Sequence, residues 1–200
     1  DGDPIILYDQ FADRWFISQF KTATNGLLIA ISTTPDPTGT YNTWEYPLDS
    51  FPDYPHYTVW HDAYYLTANK TGNHAYALDR QALIDGDASP AIVGFTLPGI
   101  VANTNTVFSP HPANLLGSVY DADTPGYITY LQDDGWGGSI AQDHLKIWEL
   151  DIDWVTTSNS TISAVPLELA TIPFESTFAP FGTGDVAQPG TTRKLDMIGG

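Results

Sequence analysis

The chain has no cysteine in its 200 residues. Disulfides, thiolate metal sites and cysteine nucleophiles are therefore excluded. Export is not, because a domain of this size can build a core without bridges. Basic residues are scarce: Lys and Arg total 7 against 24 Asp and Glu, a formal net charge of −17. That balance removes the basic footprint that nucleic-acid binding requires. It also disfavours polyanionic glycans and anionic membranes as partners. No apolar run approaches the roughly 20 residues of a membrane-spanning helix. The chain opens on Asp1 with no Met and no signal peptide, which sets the expectation of a mature or trimmed chain.

What is present points to strands. Six Trp, eleven Tyr and nine Phe are residues that fit a pleated sheet. Seventeen Gly and fifteen Pro supply chain reversals, and Asp, far commoner here than Glu, sits readily in turns. An acidic surface suits solubility, high salt or divalent cations.

A repeat organises the chain. Asp3 to Asp9 reads as an apolar strand, Gln10 to Asp13 as an Asp-bearing turn, and Arg14 to Phe20 as an aromatic strand. Leu27 to Ser32 is a buried strand, Pro35 to Gly39 a turn, and Tyr41 to Tyr46 a fourth strand. The second unit has the same plan. Asp53-Tyr54-Pro55 opens it, His56 to Trp60 and Ala63 to Asn69 flank the turn His61-Asp62, and His74 to Asp79 follows. Gln81 to Ile84 fits one helical turn, and Ala91 to Leu97 closes the unit. A third, less regular unit opens at Ser109-Pro110. It has strands expected at Ser118 to Asp121, Tyr127 to Gln132, Leu145 to Asp151 and Thr161 to Leu169.

These units span about 3–50, 51–100 and 109–170, and residues 188–200 lead into a next one through Leu195 to Ile198. Four strands in roughly 40–50 residues is the period of a propeller blade. The expectation is an all-β, propeller-like array of about three four-stranded blades plus the start of another. A β-sandwich is the alternative. Three blades do not close a ring, which typically takes about four to eight. The array is therefore expected to need the remainder of a longer chain, or other subunits, to complete it.

Several stretches resemble a group of uncharacterised exported bacterial proteins. They are Asp3-Pro4 with Tyr8-Asp9, Ala12 to Phe16, Ser32 to Gly39, Phe51 to Pro55, Ala75 to Arg80, Leu145 to Glu149, and Gln188 to Thr191 with Leu195-Asp196. The resemblance covers most of the chain. It implies a propeller-like β-fold, a secreted or extracellular location and a protein that continues past Gly200. It carries no activity onto named residues. A weaker resemblance, on Asp62-Ala63-Tyr64-Tyr65-Leu66, is to five-bladed glycoside hydrolases, although an Asp turn before an aromatic strand recurs in unrelated propellers.

Candidate sites are few. Asp85, Asp87 and Ser89 alternate as oxygen ligands would, and Asp121 and Asp123 begin the same way, so calcium is the cofactor the sequence has residues for. The competing reading is a pair of Asx turns. Glycosidases need two facing carboxylates. Asp9, Asp62 and Glu149, with Asp133 and Asp134, are the candidates, and Asp9 and Asp62 sit in matching turns. The five histidines (His56, His61, His74, His111 and His144) show no zinc spacing. No Gly-x-Ser-x-Gly elbow occurs. Trp136, at the tip of a Gly-rich loop, could stack on a sugar or fold back onto the sheet. Asn69 and Asn159 head sequons that matter only in a source that glycosylates.

The leading functional expectation is an extracellular binding, adhesion or matrix-assembly module for a glycan or a protein, without a coherent catalytic constellation. A carbohydrate-active hydrolase with carboxylates on blade-top turns is one alternative. A structural subunit of an extracellular polymer is the other.

Overall fold

The structure is a computed structural model that describes residues 2–102, 110–117, 119–137, 139–175 and 186–195. It is all-β, built on three antiparallel meanders. Sheet 1 runs β1 (Gly2–Asp9), β2 (Arg14–Lys21), β3 (Gly26–Ser32), β4 (Tyr41–Pro47) in chain order. Sheet 2 runs β5 (Asp53–Val59), β6 (Ala63–Asn69), β7 (Ala75–Asp79), β8 (Ile92–Phe95), with the short helix α1 (Arg80–Asp85) between its last two strands. Sheet 3 runs β9 (His111–Pro112), β10 (Gly126–Gln132), β11 (His144–Asp151), and its fourth strand is in two pieces, β12 (Thr161–Ile162) and β13 (Leu167–Ala170), both paired to β11. A last small pair joins β14 (Val186–Ala187) to β15 (Lys194–Leu195). Among the described residues no helix is long and apolar enough to cross a membrane.

The entry to the first two units is the same local device. Asp3 and Tyr54 each precede a proline, each has positive φ (48° and 50°), and each sits where the pairing register shifts. A residue in this left-handed region bends the strand as a bulge does. The proline that follows has no N–H to lose from the ladder. Both units thus start with a kinked edge strand.

Sheet 2 lies between the other two. Tyr57, Val59, Tyr64, Leu66, Tyr76 and Leu78 form one core with Phe16, Leu27, Ile29, Ile31 and Tyr46 of sheet 1. Ala63, Tyr65, Ala75, Ala77 and Phe95 form a second core with Ile128, Tyr130, Trp148 and Leu150 of sheet 3. Neighbouring residues of β6 therefore serve different cores, as the two-residue period of a strand dictates. Six of its seven residues are buried in consequence. Phe16 anchors the first junction, with ring centroids 5.1 Å from Tyr57 and 4.9 Å from Tyr64. Tyr65 anchors the second. It lies over Gly126, where a Cβ would come within 2.4–2.6 Å of the tyrosine ring and hydroxyl.

The strand expectations for the first two units are met to within a few residues, and the helical turn at Gln81 to Ile84 is α1. Two expectations for the third unit are corrected. Val119 to Asp121 is not a strand (Ser118 lies outside the described residues), and Val119 is 89% exposed. The chain just before it is drawn to sheet 2 instead: Leu115 N–H donates to Val59 O, and Val59 N–H donates to Asn114 Oδ1. Thr161 to Leu169 is interrupted between β12 and β13, where Pro166 offers no N–H to the ladder. Of the expected next unit, Leu195 is paired in β15, and Asp196 to Gly200 lie outside the described residues, as does Ser109 at the opening of the third unit.

Candidate functional site

Each junction between sheets has a tyrosine of β6 whose hydroxyl meets an aspartate, and the two aspartates have opposite surroundings. At the first junction Asp9 is fully buried. Its carboxylate accepts from Phe11 N and Ala12 N, from the Tyr64 hydroxyl at 2.7 Å, and from Arg80 Nε and Arg80 Nη2 at 2.7 and 2.9 Å. Burial pushes the Asp9 pKa up, but the Arg80 and Tyr64 hydrogen bonds outweigh it and hold the group below its usual range. With its lone pairs taken by protein donors, Asp9 is placed to pin sheet 1 to sheet 2. It has no room for a substrate proton.

At the second junction the turn residue Asp62 is only weakly held. The Tyr65 hydroxyl lies 3.4 Å from both carboxylate oxygens, and His61 Nδ1 lies 4.0 Å away. Asp62 opens onto a cavity of about 730 Å³ that Asp123, Glu149 and Asp151 also line, with His61, Thr124, Ile152 and Ser163. Among the described residues no Lys or Arg lines it. Burial raises the Asp62 pKa, with His61 opposing and Asp151 adding to the rise. This is a polar pocket with several carboxylates, one of them with its pKa raised by burial. Tyr120 stacks on His61 at 5.4 Å with ring planes 6° apart, and Trp154 Nε1–H donates to Asp62 O. Of the carboxylates singled out in the sequence, the structure brings Asp62 and Glu149 together here and keeps Asp9 in the other junction. Asp151 was not singled out; its place at the end of β11, beside the β5–β6 turn, is set by tertiary packing alone.

The calcium candidates lie at the end of α1 and in the chain before β10. Asp85 ends α1, and its carboxylate accepts from Gln81 Nε2 at 3.0 Å. Gly86 caps the helix with φ 75°. Asp87 uses its carbonyl to accept from Trp44 Nε1, and Ser89 is exposed. Asp121 forms an Asx turn, accepting from Asp123 N at 3.0 Å. Among the described residues, the one group of three possible metal ligands is Asp133, Asp134 and Asp143, whose ligand atoms lie within 4.8 Å of one another. Two of the three carboxylates already accept protein hydrogen bonds: Asp133 from Gly135 N, and Asp143 from Asp134 N and Phe174 N. This cluster ties the β10–β11 loop to the chain beyond β13.

Trp136 folds back. It is half-buried, with its ring 5.8 Å from Tyr130 at the edge of the second core. Asn69 ends β6 and is half-buried, whereas Asn159 is exposed and donates through Nδ2 to Asp153 at 3.0 Å. Sequence reasoning also passed over Lys70. Its side chain is fully buried, paired with Asp49, bonded to Thr71 O and Asn73 O, and lies over the Tyr76 ring. Among the described residues the histidines form no metal group; the His56 and His111 rings lie 3.9 Å apart, tilted by 37°, where β5 meets β9.

Comparison with known proteins finds no matching family, no curated protein and no solved structure similar to this chain.

Proposed function

We propose that the chain is part of a β-propeller-like protein that acts outside the cell as a binding or adhesion module, with the Asp62 cavity as its ligand site. The observation that carries this reading is the stacking of successive meanders through their first strands. β1 lies against β5, and β5 against β9, while aromatic and aliphatic faces fill the junctions. Blades of a propeller stack in this way because a twisted four-stranded sheet cannot bury both faces alone. The extracellular assignment rests on the resemblance to exported proteins and on the acidic composition. The polar cavity, lined by His61 with Tyr120 stacked on that ring, suits a neutral glycan or a polar segment of an extracellular protein; its carboxylates repel anionic ones.

A glycan array probed with the full chain tests this. The expected result is saturable binding to a neutral oligosaccharide, weakened at least tenfold by Asp62→Ala. Absence of binding to any neutral glycan, or binding indifferent to Asp62→Ala, overturns the glycan form of the proposal. The raised pKa of Asp62 beside Glu149 and Asp151 favours a second reading, a glycoside hydrolase with Asp62 as general acid. Release of reducing ends from a bound glycan, abolished by Asp62→Asn, would select it over simple binding.

A further inference from the structure

Three turns come together at one end of the sheets. Arg80 joins the first two. Its Nε and Nη2 donate to Asp9, at the head of the Gln10 to Asp13 turn, and its Nη1 donates to His61 O in the second turn at 3.4 Å. The chain leading to the third turn is held by the first, because Gln10 Nε2 donates to Gly117 O at 2.9 Å. Asp121 closes that third turn: its carboxylate accepts from Asp123 N and its carbonyl from Thr124 N. Thr124 O lies 2.8 Å from His61 Nε2, which ties the third turn to the second.

These ties set three rings in a row. Phe11, in the first turn, is half-buried against the first core. Tyr120 meets it edge-on, with centroids 5.3 Å apart and planes at 79°. The same Tyr120 ring lies parallel to His61, which lines the Asp62 cavity. The row therefore leads out of the cavity and across to the first unit. Tyr120 is 44% exposed, between two half-buried rings that hold it. A ring fixed in this way offers contact area at little cost in conformational entropy. The row lies at the turn end of the sheets and not on a sheet face. Further sheets stacked beside sheet 1 or sheet 3 would cover faces and leave it open.

We propose that the Phe11–Tyr120–His61 row extends the Asp62 site into a track for an extended neutral oligosaccharide, made of β-linked pyranoses with equatorial hydroxyls. Such a sugar directs its C–H bonds above and below the ring, so it has two apolar faces that lie flat on an aromatic side chain. Its hydroxyls stay at the rim, where they donate to carboxylates such as Asp62 and Asp123. The inference rests on the cavity being a ligand site, and it adds the length and the chemical class of the ligand.

Titration calorimetry of the full chain with cello- and xylo-oligosaccharides, disaccharide to hexasaccharide, is the test. Affinity is expected to rise at least tenfold with length in one of the two series. Tyr120→Ala is expected to remove that rise, with the disaccharide affinity and the circular dichroism spectrum unchanged. Tyr120→Phe keeps the ring and should keep the rise, while Asp62→Ala should weaken every length. Affinity indifferent to length, or a rise that survives Tyr120→Ala, overturns the track and leaves the Asp62 site standing. Oligomers that bind without regard to Asp62→Ala overturn the cavity reading on which the track depends. Absence of binding by both series overturns the track, and the glycan array still decides whether Asp62 receives another neutral glycan.

Discussion

His56 and His111 put two titratable rings 3.9 Å apart, tilted by 37°, in a partly buried junction. Burial, helped by His111, pushes the His56 pKa from 6.5 down to about 4, and burial lowers His111 too. The other ring against His56 is Tyr54, and among the described residues His56 Nε2 has no hydrogen-bond partner. The sign follows from proton linkage. Between about pH 6.5 and 4 the unfolded chain binds a proton that the folded chain refuses. Stability is therefore expected to be complete above the unfolded value and to fall as pH drops through that window. Thermal unfolding followed from pH 7 to 4 reads the slope, and His56→Phe should flatten it. An equally steep slope in the variant would assign the effect elsewhere. Asp9 and Asp49, both held below their usual range by cationic partners, lose their contributions only in stronger acid.

At the scale of the element, the β6–β10 contact leaves no room for a side chain at Gly126. Gly126 is required by the Tyr65 ring, not by backbone conformation, since it is absent from the glycines of positive φ. Gly126→Ala is expected to cost about 1–3 kcal/mol, the usual range for overpacking. The same change in a Tyr65→Leu background should cost clearly less, as read by urea unfolding of the four chains of the cycle. Additive effects would mean that the backbone, not the ring, sets the cost. Elements were legible in the sequence wherever a hairpin carried its own instructions. Asp3-Pro4, Tyr54-Pro55 and the Asp-bearing turns mark the first two units because they act locally. The third unit was read poorly because its boundaries are set at a distance. Val59 recruits the chain at Asn114 and Leu115, and Pro166 breaks a strand that alternation alone would continue. The Asp62 cavity was half legible for the same reason. The turn announces Asp62, but nothing near Asp151 in sequence announces that it will face it.

For the whole molecule the decisive arrangement is three layers with the middle one covered on both sides. Local opening should follow that order. Amide hydrogen exchange is expected to be slowest in β6 and β7 and faster in β4 and β13, which lie at sheet edges. If β6 exchanged as fast as the edges, the two cores would not be acting together. The tryptophans are divided unevenly between these layers. Trp15 and Trp44 belong to sheet 1, while Trp60, Trp136, Trp148 and Trp154 all border the junction of sheets 2 and 3. Trp148 is fully enclosed, and its indole N–H donates to Pro98 O. The chain therefore carries its own optical gauge. Its ultraviolet emission is weighted towards the second junction, so a loosening there changes colour and intensity before the rest of the protein contributes.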